Sequence, residues 1–239
     1  MTRLYGDLHI HSALSPCADN DMTPYNIAAM AHLKGLDIIA VSDHNCSSNI
    51  KNVIKHALEF DICTVPAMEI SSREDVHILS YFPDAETCEE YSEYIYSLLP
   101  DIKCIGSVFG DQLVFGEDDE IIGSKEKLLV SSCGRSTDQI FADVFKLGGV
   151  PVFAHIDRQH NGVLSVLGFI PEHLEVTAVE VSKNFTENNP LVKTLSGEYK
   201  YLHSSDAHSL GNINERVFSL ELEEKTAECF ISYLMHKIP

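Results

Sequence analysis

Histidines and carboxylates recur at the ends of apolar segments along this 239-residue chain, at spacings suited to holding cations. The first such segment closes on Asp7, His9 and His11. Residues two apart on a strand point to the same side, so these three line one face. Asp43 and His44 follow the apolar run 36–41, Glu69 sits within Ala-Met-Glu-Ile-Ser, and the next segment carries His77. His155 follows the run 149–154, and Asp206 with His208 repeats the two-residue spacing. Imidazole together with carboxylate suits zinc, manganese or iron. Six histidines with two or three carboxylates exceed what one ion needs. Two to three divalent ions, with a carboxylate bridging a pair, match the count better.

A histidine at one strand end is ordinarily a hydrogen-bonded or solvent-facing residue. The recurrence at five segment ends is what points to a site. His32, His56, His173, His203 and His236 have no partner motif and are read as ordinary histidines. His160 lies close enough to the 155–158 motif to be a candidate substrate contact. Arg158 stands out because cations are scarce, and its planar fork matches two phosphate oxygens. Other enzyme chemistries lack their marks. There is no Gly-x-Ser-x-Gly elbow, no Gly-x-Gly-x-x-Gly after the first strand and no phosphate loop.

Elements must bring these scattered groups together. Strands are expected at 4–10, 36–41, 62–66, 76–82, 149–154, 176–181, 199–204 and 216–220. Helices are expected at 26–33, 49–60, 85–99, from Ser136 or Thr137 to about 148, and 223–236. Thr23-Pro24 supplies a cap and a first-turn proline, and Gly35 a stop. The continuous apolar run 36–41 fits a strand buried on both faces. Repeated β-then-α units imply a parallel sheet, open or closed. In a closed barrel, functional side chains gather at the C-terminal strand ends.

The chain carries 36 acidic and 17 basic residues, a net charge of −19. That balance argues against an extended nucleic-acid face, which needs clustered Lys and Arg. It leaves room for a phosphorylated substrate, because bound cations invert the local charge. Seven cysteines without a Cys-x-x-Cys pair make a disulfide framework improbable. With no long apolar run, a cytoplasmic protein without a membrane span is expected.

Asp-Leu-His-Ile-His-Ser at 7–12, Ser-Asp-His-Asn at 42–45, Glu69, Ala154-His155 and Ser205-Asp206-Ala207-His208 occur in one order. In that order they resemble the polymerase-and-histidinol-phosphatase (PHP) family, over residues 7 to about 211. The segments 21–24, 34–45 and 155–158 are similar to its stand-alone bacterial members, metal-dependent phosphoesterases. The resemblance implies a single domain over 1–239, a distorted TIM-like (β/α)7 barrel with a trinuclear site at the C-terminal face. An insertion or excursion over the barrel mouth is expected at about 103–130.

By motif, one ion takes His9, His11, Glu69 and Asp206, a second shares Glu69 with His77 and His155, and a third takes His44 and His208. Relatives complete the third site with a His or Asp. Here Cys17 stands near that place, with Asp19 and Asp21 further on. Asp7 and Asp43 are implied to orient ligand histidines, and Glu69, Asp43 and Asp206 to be catalytic. The implied activity is hydrolysis of a phosphate ester, of a small molecule, a nucleotide or a short oligonucleotide, by a metal-activated hydroxide. Two other functions fit parts of the pattern: a non-catalytic metal-binding scaffold and an amidohydrolase-type hydrolase.

Overall fold

The computed structural model describes residues 1–186, 188–195 and 199–236. The strands are β1 (Thr2–Ile10), β2 (Ile38–Val41), β3 (Cys63–Thr64), β4 (Ala67–Ser71), β5 (His77–Tyr81), β6 (Leu113–Phe115), β7 (Ile121–Ser124), β8 (Val150–Phe153), β9 (Ala178–Val181), β10 (Lys200–His203) and β11 (Ser219–Leu222). The α-helices are α1 (Pro24–Leu33), α2 (Ile50–Glu59), α3 (Ala85–Leu98), α4 (Gly106–Phe109), α5 (Thr137–Lys146), α6 (Val163–Val166) and α7 (Ala227–Met235). Their starts follow local chemistry. The Thr23 hydroxyl accepts from the Asn26 N–H ahead of Pro24, and Ser136 and Gln139 form a capping box on α5.

The strands form three sheets in the orders β11-β1-β2-β3, β10-β9-β8-β5-β4 and β6-β7. Among the described residues no continuous hydrogen-bonded ring closes the expected barrel. The two larger sheets instead meet through single parallel bridges, Ile10 with Ala207 and His44 with Glu69. The sheets are also mixed. β1 pairs antiparallel with β11, and β5 runs antiparallel to both β4 and β8. The short loop 72–76 dictates this, because parallel neighbours need a crossover of a dozen or more residues.

Alternation along the strands divides the core. Ala40, Ala67, Leu79 and Val152 pack with Phe230 and Leu234 of α7. Ile39 and Val41 turn the other way, onto Ile27, Ala31 and Val53 of α1 and α2. Met68, Ile78 and Phe153 pack on Tyr91, Ile95 and Phe141 of α3 and α5. Strands buried on both faces explain the unbroken apolar runs in the sequence. Among the described residues no helix is long and apolar enough to cross a membrane.

Segment 103–130 contains α4 and the β6-β7 hairpin. Asn49 and Asn45 tie it down: the Asn49 amide donates to the Leu113 carbonyl and accepts from the Phe115 N–H, and the Asn45 amide donates to the carbonyls of Leu129 and Ser131.

Candidate metal centre

The two single bridges place the ends of β1 and β2 beside β4 and the segment after β10. His9 lies in β1 and His11 one residue beyond it, His44 follows β2, Glu69 sits mid-way along β4, and Asp206 and His208 follow β10. His77 is the first residue of β5. Because β5 runs backwards, its start lies where its neighbours end, so His77 joins the cluster through antiparallel pairing.

Glu69 is the hub. It is 1% exposed, and nitrogens of five imidazoles surround its two oxygens. His77 Nδ1 lies 2.9 Å, His155 Nε2 3.1 Å and His9 Nε2 3.5 Å from Oε1. His44 Nδ1 lies 2.9 Å and His11 Nε2 3.6 Å from Oε2. Asp206 Oδ1 sits 3.0 Å from His11 Nε2 and 3.3 Å from His9 Nε2. Three sets of mutually close donor atoms result: His9-His11-Asp206, His11-His44-His208 and His44-Glu69-His77.

Outer hydrogen bonds fix which ring nitrogens face inward. His9 Nδ1 donates to Glu180 Oε1 at 2.9 Å, leaving Nε2 for the cluster. Ser15 Oγ gives its own proton to Asp43, so it accepts from His11 Nδ1 at 2.9 Å, and His11 too points Nε2 inward. His208 Nδ1 donates to the Asp206 carbonyl.

These tautomers test whether the residues fit a cation. His9 Nε2 and His11 Nε2 face each other at 3.1 Å, so two lone pairs oppose unless a proton or a metal lies between. His44 Nδ1 is 2.9 Å from Glu69 yet off the line of a hydrogen bond, and His155 Nδ1 is buried without a partner. Such crowded, misaligned donors are what a cation relieves, and the N and O set fits zinc, manganese or iron.

The electrostatics mark the cluster as a place that attracts positive charge. Burial pulls His11 down to about 3, keeping it neutral, the form that ligates. Burial opposes a charge on His9 as well, but Glu180, Asp206 and Glu69 outweigh it and hold His9 well above its ordinary value. Burial also opposes ionisation of Glu69, yet the surrounding His77, His9 and His44 hold its carboxyl well below the carboxylate range.

Asp43 and Asp7 do not bond a histidine of the cluster directly. The Asp43 carboxylate accepts from the Ser12 N–H at 2.7 Å and from the Ser12 and Ser15 hydroxyls at 2.6 and 2.7 Å, reaching His11 only through Ser15. Burial pushes it up to about 7 against these donors. Asp7 accepts from the backbone N–H groups of Ser205 and Asn214, anchoring the segment that carries Asp206 and His208.

Sequence reading missed Glu180. It is 1% exposed in β9, accepts from His9 Nδ1 through one oxygen and from the His155 N–H at 2.7 Å through the other. Its signal was there: a lone charge in the apolar run 176–181. His155 and Asp206 also hold left-handed backbone, at φ 30° and 51°. Such conformations cost on the order of 1–3 kcal/mol each and persist only where surroundings over-determine them.

The cluster opens into a hollow of about 560 Å³ whose lining includes Cys17, Arg158, Gln159, His160 and Asn161. Arg158 forms an ion pair with Asp206 Oδ2 and is 41% exposed. His160 is exposed on the rim. Cys17 lines the hollow but belongs to none of the three donor sets, and loss of water with the nearby Glu69 charge pushes its thiol up to about 12. Asp19 and Asp21 are exposed and also outside the donor sets.

Neither a family model nor a curated protein matches this chain. Solved structures do. Over 98% of the chain it superposes on the lesion-specific endonuclease Q of Pyrococcus furiosus with a TM-score of 0.66 at 18% identity. It superposes over 94% of its length on a protein of Bifidobacterium adolescentis assigned as a metal-dependent phosphoesterase, with a TM-score of 0.63 at 18% identity and 95% of that chain covered. The fold is of the PHP type. An amidohydrolase of Chromobacterium violaceum, with bound sulfate and no metal, aligns over 93% of each chain with a TM-score of 0.58 at 16% identity. The chain spans about half of endonuclease Q, 56% of its length. At these identities the likeness speaks to the PHP-type fold alone.

Proposed function

We propose that this chain is a metal-dependent phosphoesterase, a single PHP-type domain holding two to three ions of zinc, manganese or iron. The observation that carries the reading is the buried Glu69 ringed by five inward-facing imidazoles, with Asp206 beside them. On this reading β1, β2, β4, β5, β8, β9 and β10 are the seven strands of a distorted (β/α)7 barrel, and segment 103–130 is an excursion at its mouth. His9, His11, His44, Glu69, His77, His155, Asp206 and His208 would hold the ions, with Cys17 a peripheral candidate.

When bound, such ions supply Lewis-acid polarisation and a lowered pKa for water. The protein's own groups do the rest. Glu180 holds His9 and His155 in place. Asp43 and Ser15 fix the His11 ring. Arg158, already at Asp206, turns its free donors to the phosphate as a two-point clamp, with His160 at the rim. Among the described residues no lysine lines the hollow. A phosphate ester is favoured over an amide because this guanidinium stands at the mouth of an otherwise acidic, imidazole-rich site. The DNA bound by endonuclease Q, a 27-mer duplex with an abasic lesion, is compatible with a nucleotide or short oligonucleotide as the ester here.

The test is phosphate release from an aryl phosphate and a phosphometabolite panel, with manganese, zinc and iron supplied in turn. Activity should vanish with chelator and fall in Glu69→Ala beyond the roughly 100-fold upper range for supporting residues. Activity that survives both treatments rules the reading out. In the same assay Arg158→Ala should raise KM or lower kcat with metal content intact, and Arg158→Lys should recover little. Unchanged constants in Arg158→Ala would remove the clamp.

A further inference from the structure

A second hollow, of about 640 Å³, adjoins the metal-centre hollow, and Gln159 lines both. The two differ in chemistry. The first holds the imidazoles and Arg158, while the second is lined by neutral groups, the polar Ser165, Thr186, Asn188 and Asn189 beside the apolar Leu164, Pro190 and Leu191. Among the described residues Asp157 is the one acid on its lining, and its carboxylate is occupied by the Ser182 N–H and hydroxyl at 2.7 Å each. Among the described residues Arg158 is the only Arg or Lys lining either hollow. The side chains of Gln159, Thr186 and Asn188 are exposed and make no hydrogen bond to the described residues.

We infer that the second hollow is the leaving-group subsite and that it takes a neutral, hydroxyl-rich alcohol. This inference rests on the phosphoesterase reading and adds to it the class of ester. One guanidinium serves one phosphate. Beyond Gln159 the lining offers amides and hydroxyls, which exchange hydrogen bonds with sugar hydroxyls and cannot neutralise a second phosphate. In a chain of net charge −19, a further phosphate on the leaving group would enter a region with no cation among the described residues of its walls. The substrate is therefore a monoester of a nucleoside or a sugar, and a polynucleotide strand running through this hollow is disfavoured. Gln159, at the junction, reads the hydroxyl nearest the scissile bond. Asn188 reads the far side.

Two measurements test this. In the first, metal-free protein with labelled side-chain amides is titrated with free adenosine and with free glucose. The Gln159 and Asn188 amide signals should shift with at least one of them, and which one does separates a nucleoside from a sugar. Signals unmoved by both overturn the inference. In the second, the metal-loaded protein is given an aryl phosphate, a nucleoside monophosphate, a hexose phosphate and a nucleoside bisphosphate. Gln159→Leu should lower the ratio of kcat/KM for the better hydroxyl-rich ester to that for the aryl ester by about tenfold, the worth of a lost hydrogen bond to a neutral group. Asn188→Lys should raise the bisphosphate relative to the monoester by about tenfold. Ratios that stay fixed in both variants overturn the subsite while leaving phosphoesterase activity standing. If no ester is cleaved with any metal, the functional reading fails instead, and the amide shifts still decide whether the hollow binds the alcohol.

Discussion

Glu180 shows how much of the candidate metal site lies outside its proposed ligands. Its two oxygens each accept one N–H, from the His9 ring and from the His155 backbone. Glu180→Gln keeps the shape but turns an NH2 group against one of those donors. A stranded buried donor costs about 1–3 kcal/mol, and loss of ligand support costs roughly 10–100-fold in metal affinity. Thermal unfolding and metal titration of this variant should show both; wild-type values in each would remove the positioning role. His11 gives a pH signature in the metal-free protein. Burial holds it at about 3 in the fold, against 6.5 for a free imidazole. Between those values the unfolded chain binds a proton that the folded chain refuses, so stability falls as pH drops from 6.5 towards 3. The slope from this ring approaches about 1.4 kcal/mol per pH unit. His9 works in the other direction and another window: held above its ordinary value, it contributes stability below pH 6.5 that fades as pH rises through its folded value. Unfolding scans across pH 3.5–6.5 should show a shallower acid slope in His11→Asn, and an unchanged slope would mean another group carries it.

Among the elements, the β6-β7 hairpin depends on α2 for its position. Asn49, the residue before α2, donates to Ser12 Oγ at 3.0 Å and the Leu113 carbonyl at 3.1 Å, and accepts from the Phe115 N–H at 3.0 Å. It thereby couples the hairpin to the serine that holds Asp43. Asn49→Ala strands the Phe115 donor and releases the hairpin, at a cost of about 1–3 kcal/mol. Limited trypsin digestion should then cut faster at Lys103, Lys125 or Lys127, since local opening exposes these bonds. Equal digestion rates in wild type and variant would show that the Asn45 contacts suffice.

For the whole molecule, the proposed metal centre links acidic charge to cation binding. The native fold gathers six imidazoles and two carboxylates that the unfolded chain scatters, so metal should bind the native state selectively. Each site filled at 100 times its Kd adds about 2.7 kcal/mol to stability. The midpoint of thermal unfolding should rise with added zinc or manganese and fall with chelator, and Glu69→Ala should flatten that dependence. A midpoint indifferent to metal in the wild type would mean that no site binds appreciably.

Residue types and local spacing alone marked out the candidate site. His9, His11, His44, Glu69, His77, His155, Asp206 and His208, which the fold brings together, stood out as candidates because strand periodicity and apolar runs are local, and a charged residue closing such a run is visible without a fold. Most elements were legible for the same reason, α1 and α5 through their caps. What the sequence did not determine depended on partners distant in the chain. The end of β11 was misplaced by a few residues, because its boundary is set by antiparallel pairing with β1 and not by its own pattern. The reversal of β5 was read as another parallel unit, although the short loop before it forbade that. Asp7 and Asp43 were placed behind the histidines, but which groups they hold was decided by Ser205 and Asn214 for one and by Ser12 and Ser15 for the other. Glu180, 171 residues from His9, became a partner only when β9 came to lie across the site. Residue type and local spacing fix what a side chain can do. Only the packing of the two sheets decides what it meets, because hydrogen-bond partners at this range follow from where the strands lie and not from how the chain is written.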